Sequence, residues 1–175
     1  MLKKIGIVVV VLVIAILGFA TTKPDTFHME RSVTIQAPPE KVLPHVADFH
    51  AWTAWSPWEK LDPAMKRTYS GAASGKGAVY EWEGNSEVGQ GRMEITNANA
   101  SSGVTIKLDF IKPMEGHNIA EFKFAPEGGA TKVTWAMHGP NNYLSKVMQV
   151  FIDMDKMLGA YFESGLADLK AASEK

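Results

Sequence analysis

The stretch NNYLSKVMQVFIDMDKMLGAYFESGLADLKAA, residues 141–172, decides the fold. Leu144, Val147, Met148, Phe151, Met154, Leu158, Tyr161, Phe162, Leu166 and Leu169 recur at steps of three and four. Lys146, Asp153, Lys156, Glu163 and Lys170 fall largely between them, so the spacing predicts one long amphipathic helix. Gly139-Pro140-Asn141-Asn142 stops the preceding element, and an Asn there can accept from the first free backbone N–H groups. Each large apolar side chain on the stripe gains roughly 1.5–3 kcal/mol on burial. Such a stripe needs a wide apolar partner, which the upstream strands must supply.

The chain has 175 residues, 46% hydrophobic and 21% charged, the balance of a folded domain rather than a disordered one. Lys and Arg number 18 against 19 Asp and Glu; without Lys3 and Lys4 the balance is 16 against 19, a net of −3. Nucleic acid needs a basic surface and is excluded as the expected partner. With no cysteine there is no disulfide framework, thiol nucleophile or Cys-based metal site.

At the N-terminus, Met1-Leu2-Lys3-Lys4 precedes an uncharged run from Ile5 to Ala20, closed by Lys23-Pro24-Asp25. The run lies between a signal-peptide core and the ~20 residues that span a bilayer. Its length favours an uncleaved single-pass anchor; Gly18-Phe19-Ala20 keeps a cleaved signal, and a secreted or periplasmic product, as the alternative. Residues 1–22 are thus the membrane segment and 23–175 one domain. The positive-inside rule puts Lys3 and Lys4 in the cytoplasm and the domain on the other side.

Phe27, Met29, Val33 and Ile35 alternate with polar residues and read as a first strand; Arg31 shares the inward phase. Either the strand twists and frees its guanidinium to solvent, or Arg31 is a fixed cation at a pocket mouth. A short helix follows, Glu40 to about Phe49, and then Trp52-Thr53-Ala54-Trp55-Ser56-Pro57-Trp58, with three of the five tryptophans. These rings plug the end of a sheet or line a ligand entrance. Residues 65–70 read as a strand, and Gly71 to Gly77 as a turn without the Lys-Ser or Lys-Thr of a phosphate loop. Strands 78–83, 91–95, 104–110, 120–124 and 133–137 each have one wet and one apolar face, with turn signals between them. The fold class is α+β: a curved antiparallel sheet of about six or seven strands, two short helices after the first, and the last helix over its apolar face.

No HExxH or paired His-x-His occurs among His28, His45, His50, His117 and His138, so no metal is expected. No Gly-x-Ser-x-Gly elbow occurs either. His138, after the last strand, is the best lone acid/base candidate, against a turn-bonded histidine. Asp155 reaches solvent or finds a partner such as Arg31. Met148, Met154 and Met157 suit core packing or an adaptable pocket lining.

Glu30-Arg31-Ser32-Val33-Thr34-Ile35-Gln36-Ala37-Pro38, Val42, Asp48-Phe49 and Trp52 to Trp58 resemble the START-like helix-grip (SRPBCC) superfamily. Its polyketide cyclase/dehydrase and lipid transport branch, with members bearing a membrane leader, is the nearest match. Tyr69-Ser70-Gly71, Gly77-Ala78-Val79-Tyr80-Glu81-Trp82 and the closing helix agree with it. The resemblance implies a hydrophobic small molecule held between sheet and last helix; with no metal motif or nucleotide loop, no cofactor is expected. The expected wall is Trp55, Trp58, Tyr80, Trp82, Phe110, Phe122, Trp135, Phe151, Met154 and Leu158. The expected function is a membrane-tethered binding domain for a lipid-like or aromatic molecule. One alternative is a cyclase or dehydratase using His138, Asp155 or Arg31. Another is an interaction module with a filled cavity, marked by an exposed apolar patch around Trp52 to Trp58.

Overall fold

The computed structural model describes residues 2–175, beginning with a 19-residue helix, α1 (Leu2–Ala20), whose apolar side chains stay largely exposed. Seven antiparallel strands follow: β1 (Thr26–Ile35), β2 (Lys66–Gly71), β3 (Ala78–Glu83), β4 (Gln90–Asn99), β5 (Gly103–Lys112), β6 (Gly116–Glu127) and β7 (Ala130–Pro140). They form one sheet in the order β1-β7-β6-β5-β4-β3-β2, a meander with its first strand carried to the far edge. Between β1 and β2 lie α2 (Pro39–Ala47), a 3-10 turn (Phe49–Ala54) and α3 (Pro57–Leu61). The C-terminal region forms α4 (Tyr143–Met148) and α5 (Met154–Ser173).

The expected sheet with a helix over its apolar face is therefore present, while the expected single helix is two. Asn142 caps α4 by accepting from Ser145 N at 2.8 Å, and Asp153 caps α5 by accepting from Lys156 N at 3.2 Å. The β-branched Val147, Val150 and Ile152 favour helix weakly, and Asp153 is a better cap than helix interior. The apolar stripe runs through this break, so periodicity alone did not reveal it.

Strand alternation sets the inner face. Met29, Val33 and Ile35 of β1 share it with Val133, Trp135 and Met137 of β7, and with Phe122 and Phe124 of β6. On the α5 side, Phe162, Leu166 and Leu169 are buried against them. Helix α5 runs beside β1 and covers its free edge: Lys170 Nζ donates to Thr34 O at 2.7 Å, and Gln36 N donates to Glu174 at 2.6 Å. An edge strand's unpaired groups are thereby met within the chain.

Candidate ligand site

Trp135, at the centre of β7, stacks on Phe162 of α5 at 4.2 Å between ring centroids and on Phe122 of β6 at 4.9 Å. Trp55 and Trp58 meet Trp135 edge-on, each at 5.5 Å. Trp52 carries the network from Trp55, at 4.7 Å, to Phe49, at 5.3 Å; Phe49 reaches Tyr80, which stacks on Trp82 at 6.0 Å. The space between sheet and α5 is thus taken up by aromatic rings. Trp52 Nε1 donates to Val46 O at 3.0 Å, Trp55 Nε1 to His45 O at 2.8 Å and Trp82 Nε1 to Val88 O at 3.0 Å. Trp135 differs: it is buried and its Nε1–H has no hydrogen-bond partner among the described residues. Buried indole N–H groups ordinarily find an acceptor, so this donor marks the interior.

The structure brings eight of the ten expected wall residues to this interior, with Trp58, Phe110 and Leu158 half-buried at its margins; Met154 is half-buried but not packed against the core. Phe151 is the other exception. It is 67% exposed, because the break between α4 and α5 takes it out of helical phase. Trp52 and Trp55 are buried at 4% and 0%, so no exposed patch is centred on them.

The polar candidates do not form one constellation. His138 follows Met137 in strict alternation and so lies on the outer face of the sheet, 3.6 Å from Glu121 and stacked with His28. His138 therefore lies within β7, which runs on to Pro140, and not after the last strand as expected. Arg31 does point inward and is the partner that Asp155 takes. Its Nη2 lies 2.9 Å from Asp155 Oδ2, and its Nε 2.9 Å from Glu163 Oε1. Gly159 leaves room for it, since a Cβ there would collide with the guanidinium. Hydrogen bonds to Asp155 and then Glu163 push the Arg31 pKa further up, and Arg31 holds the Asp155 carboxyl below its ordinary value. The group is a clasp between β1 and α5.

A second buried polar cluster went unread in the sequence. Glu59 of α3 accepts from Tyr80 Oη at 2.7 Å and from Arg67 Nε at 2.7 Å. Glu59 is only 7% exposed. Burial, with the Glu59 hydrogen bond second, pushes the Tyr80 phenol far up, so it stays protonated and donates. Arg67 shares the inward phase of Met65 and Tyr69, the same out-of-pattern charge that singled out Arg31. Beside this cluster a surface cleft of about 210 Å3 opens, lined by Phe49, His50, Tyr69 and residues 70–73 and 78–79. Among the described residues no group of three or more His, Asp or Glu side chains is placed to hold a metal ion.

A curved antiparallel sheet closed by a C-terminal helix over an aromatic interior is a helix-grip domain. Residues 26–174 match the model of the polyketide cyclase / dehydrase and lipid transport family, and the chain belongs to that family. Its fold is similar to that of the di-domain ARO/CYC BexL from the BE-7585A biosynthetic pathway. That likeness has a TM-score of 0.62 at 15% identity, over 91% of this chain and 53% of BexL. It is also similar to protein CV1439 from Chromobacterium violaceum, with TM-score 0.59, 16% identity, and 87% and 99% of the two chains covered. The Aha1 dimer protein from Colwellia psychrerythraea gives TM-score 0.59 at 16% identity, over 85% of this chain and 96% of that one. At these identities the likeness is one of fold alone. No curated protein matches the chain by sequence.

Proposed function

We propose that this chain is a membrane-tethered binding domain for a hydrophobic small molecule, which enters between the sheet and α5 by parting the rings stacked there. The observation that carries the reading is the free, buried Nε1–H of Trp135 inside an otherwise aromatic interior. Apolar pockets fix their ligands with few, placed polar groups. One donor among rings selects a lipid-like or aromatic molecule bearing a carbonyl, ether or hydroxyl oxygen. The proposed wall is Trp55, Trp58, Tyr80, Trp82, Phe110, Phe122, Trp135, Met154 and Leu158. Phe162 belongs with it, since it stacks on Trp135. Entry is through the end where α4 gives way to α5, because Met154 and Leu158 are only half-buried there. Helix α1 supplies the tether: residues 3–20 have a mean hydropathy of 2.5, sufficient to cross a membrane.

A second, enzymatic reading is favoured by one observation, the buried Glu59–Tyr80–Arg67 cluster. Tyr80, held protonated at the edge of the aromatic network, would orient a substrate oxygen in a dehydration or cyclisation by hydrogen bonding rather than release its proton, since burial and Glu59 push its pKa up. His138 drops out of this reading by its outward position, and Arg31 and Asp155 are engaged with one another. The binding reading is tested on the full chain in detergent micelles with 15N-labelled indoles, titrated with a polycyclic aromatic ketone. The Trp135 indole signal is expected to move downfield as it gains an acceptor, while those of Trp52, Trp55 and Trp82 move little. A Trp135 signal that stays in place at saturating ketone would oppose the reading.

A further inference from the structure

Outside α1, the exposed large hydrophobic residues are Ile111, Met114, Tyr143, Leu144, Phe151, Ile152 and Met157, and all but Met157, which sits on α5 level with Arg31, lie toward one end of the domain. The strand register shows this. Ile111 lies at the end of β5 and Met114 in the β5–β6 turn, and Ile119 just beyond it pairs with His138, which brings the turn level with the end of β7. The start of β1 is there too, with Thr26 opposite Pro140, and α4 and the start of α5 follow directly. The opposite end, with turns at 72–77, 100–102 and 128–129, exposes none of these large side chains. Scattered surface hydrophobics are ordinary; their segregation to a single end is not.

The chain leaves α1 at this same end, and is fastened there. Tyr143 Oη donates to Leu17 O at 2.9 Å, and Lys146 Nζ donates to Asp25. Asn141 receives no slack either: its N donates to Asp25 O at 2.7 Å and its Nδ2 to Pro24 O at 3.0 Å. Helix α4 is thereby set against the last turns of α1, where a spanning helix would leave the hydrocarbon. The apolar end is continuous with the segment that meets lipid.

We infer that this end of the domain, carried by Leu144, Phe151, Ile152, Met114 and Ile111, docks into the bilayer surface around α1, so that the sheet–α5 interior opens toward lipid. The bordering charges are of both signs, Lys112 with Glu115 and Asp153 with Lys156, the latter pair 3.3 Å apart. The surface therefore takes apolar insertion into a neutral bilayer rather than attraction to anionic headgroups. The inference rests on the reading of α1 as an uncleaved anchor, and deepens the proposed function by giving its interior a source of ligand.

The absence of cysteine makes the test direct. Single variants Phe151→Cys, Met114→Cys, Ala73→Cys and Val10→Cys of the full chain carry an environment-sensitive fluorophore. Each is placed in phosphatidylcholine nanodiscs, with quencher attached to the lipid chains or with iodide in the water. Labels at 151 and 114 are expected to be quenched by lipid-borne quencher and severalfold less by iodide than the label at 73. The label at 10 is expected to respond only to the lipid-borne quencher. If 10 responds to lipid while 151 and 114 respond to iodide as 73 does, the docking is overturned and the anchor stands. If 10 responds to iodide, both fall.

Discussion

Glu59 shows what a buried carboxylate does in this protein: both of its oxygens are engaged, one by a phenol and one by a guanidinium. Removing its charge leaves Arg67, 21% exposed at its side chain, without its counter-ion. Glu59→Gln is expected to lower the unfolding free energy by about 2 kcal/mol, below the full cost of breaking a deeply buried pair because Arg67 keeps some solvent. Tyr80→Phe, which removes one hydrogen bond to a charged acceptor, is expected to cost about 1.5 kcal/mol. Urea unfolding midpoints measure both. Asp155 titrates with a definite sign. Its folded pKa lies below its ordinary value, first through the Arg31 hydrogen bond. Its contribution is therefore full above about pH 4 and is lost as pH falls through the lowered folded value. The stability difference between the natural chain and Asp155→Asn is expected to narrow steadily below pH 4, followed by thermal unfolding at a series of pH values. A gap independent of pH would mean that the Arg31 clasp is not electrostatic.

At the scale of elements, α5 is held close by small residues as much as by large ones. A Cβ on Gly165 would stand 2.9 Å from both Pro57 Cδ and Trp135 Cζ3, so one of these buried rings would have to shift. Gly165→Val is expected to destabilise the domain by about 2 kcal/mol, the cost of overpacking, measured by denaturant unfolding. The strands were legible in the sequence because period-two alternation and turn residues agree over each of them, and the order of elements then fixed the architecture. The division of the C-terminal region was not legible, since Phe151 keeps helical spacing with Met148 and Met154 while lying outside any helix. Periodicity reports which positions would share a face if the helix continued; it is silent on Asp153 acting as a cap. The site was legible in its aromatic part for the same reason the strands were. The Glu59–Arg67–Tyr80 cluster was not, because Glu59 sits on a five-residue helix whose facing direction depends on tertiary packing.

For the whole molecule, polarity is organised along one axis. One end carries α1 and most of the exposed apolar residues, the middle is a ring-filled interior that includes the unpartnered Trp135 Nε1–H, and the far end is a set of polar turns. A domain that takes a hydrophobic molecule from or to a bilayer needs this order, since the ligand passes from lipid to an apolar interior without crossing water. On the proposed function, the stacked rings would surround the ligand, and the α4–α5 break, where Met154 and Leu158 are half-buried, would give it entry. The most direct measurement is native mass spectrometry of the full chain released from nanodiscs, beside Trp135→Phe and Leu158→Arg, with organic extraction of what is released. The natural chain is expected to retain one oxygen-bearing hydrophobic molecule after its annular lipid is stripped, and both variants to lose it. A clean mass for the natural chain, or an adduct retained equally by all three, would contradict a ligand site between sheet and α5.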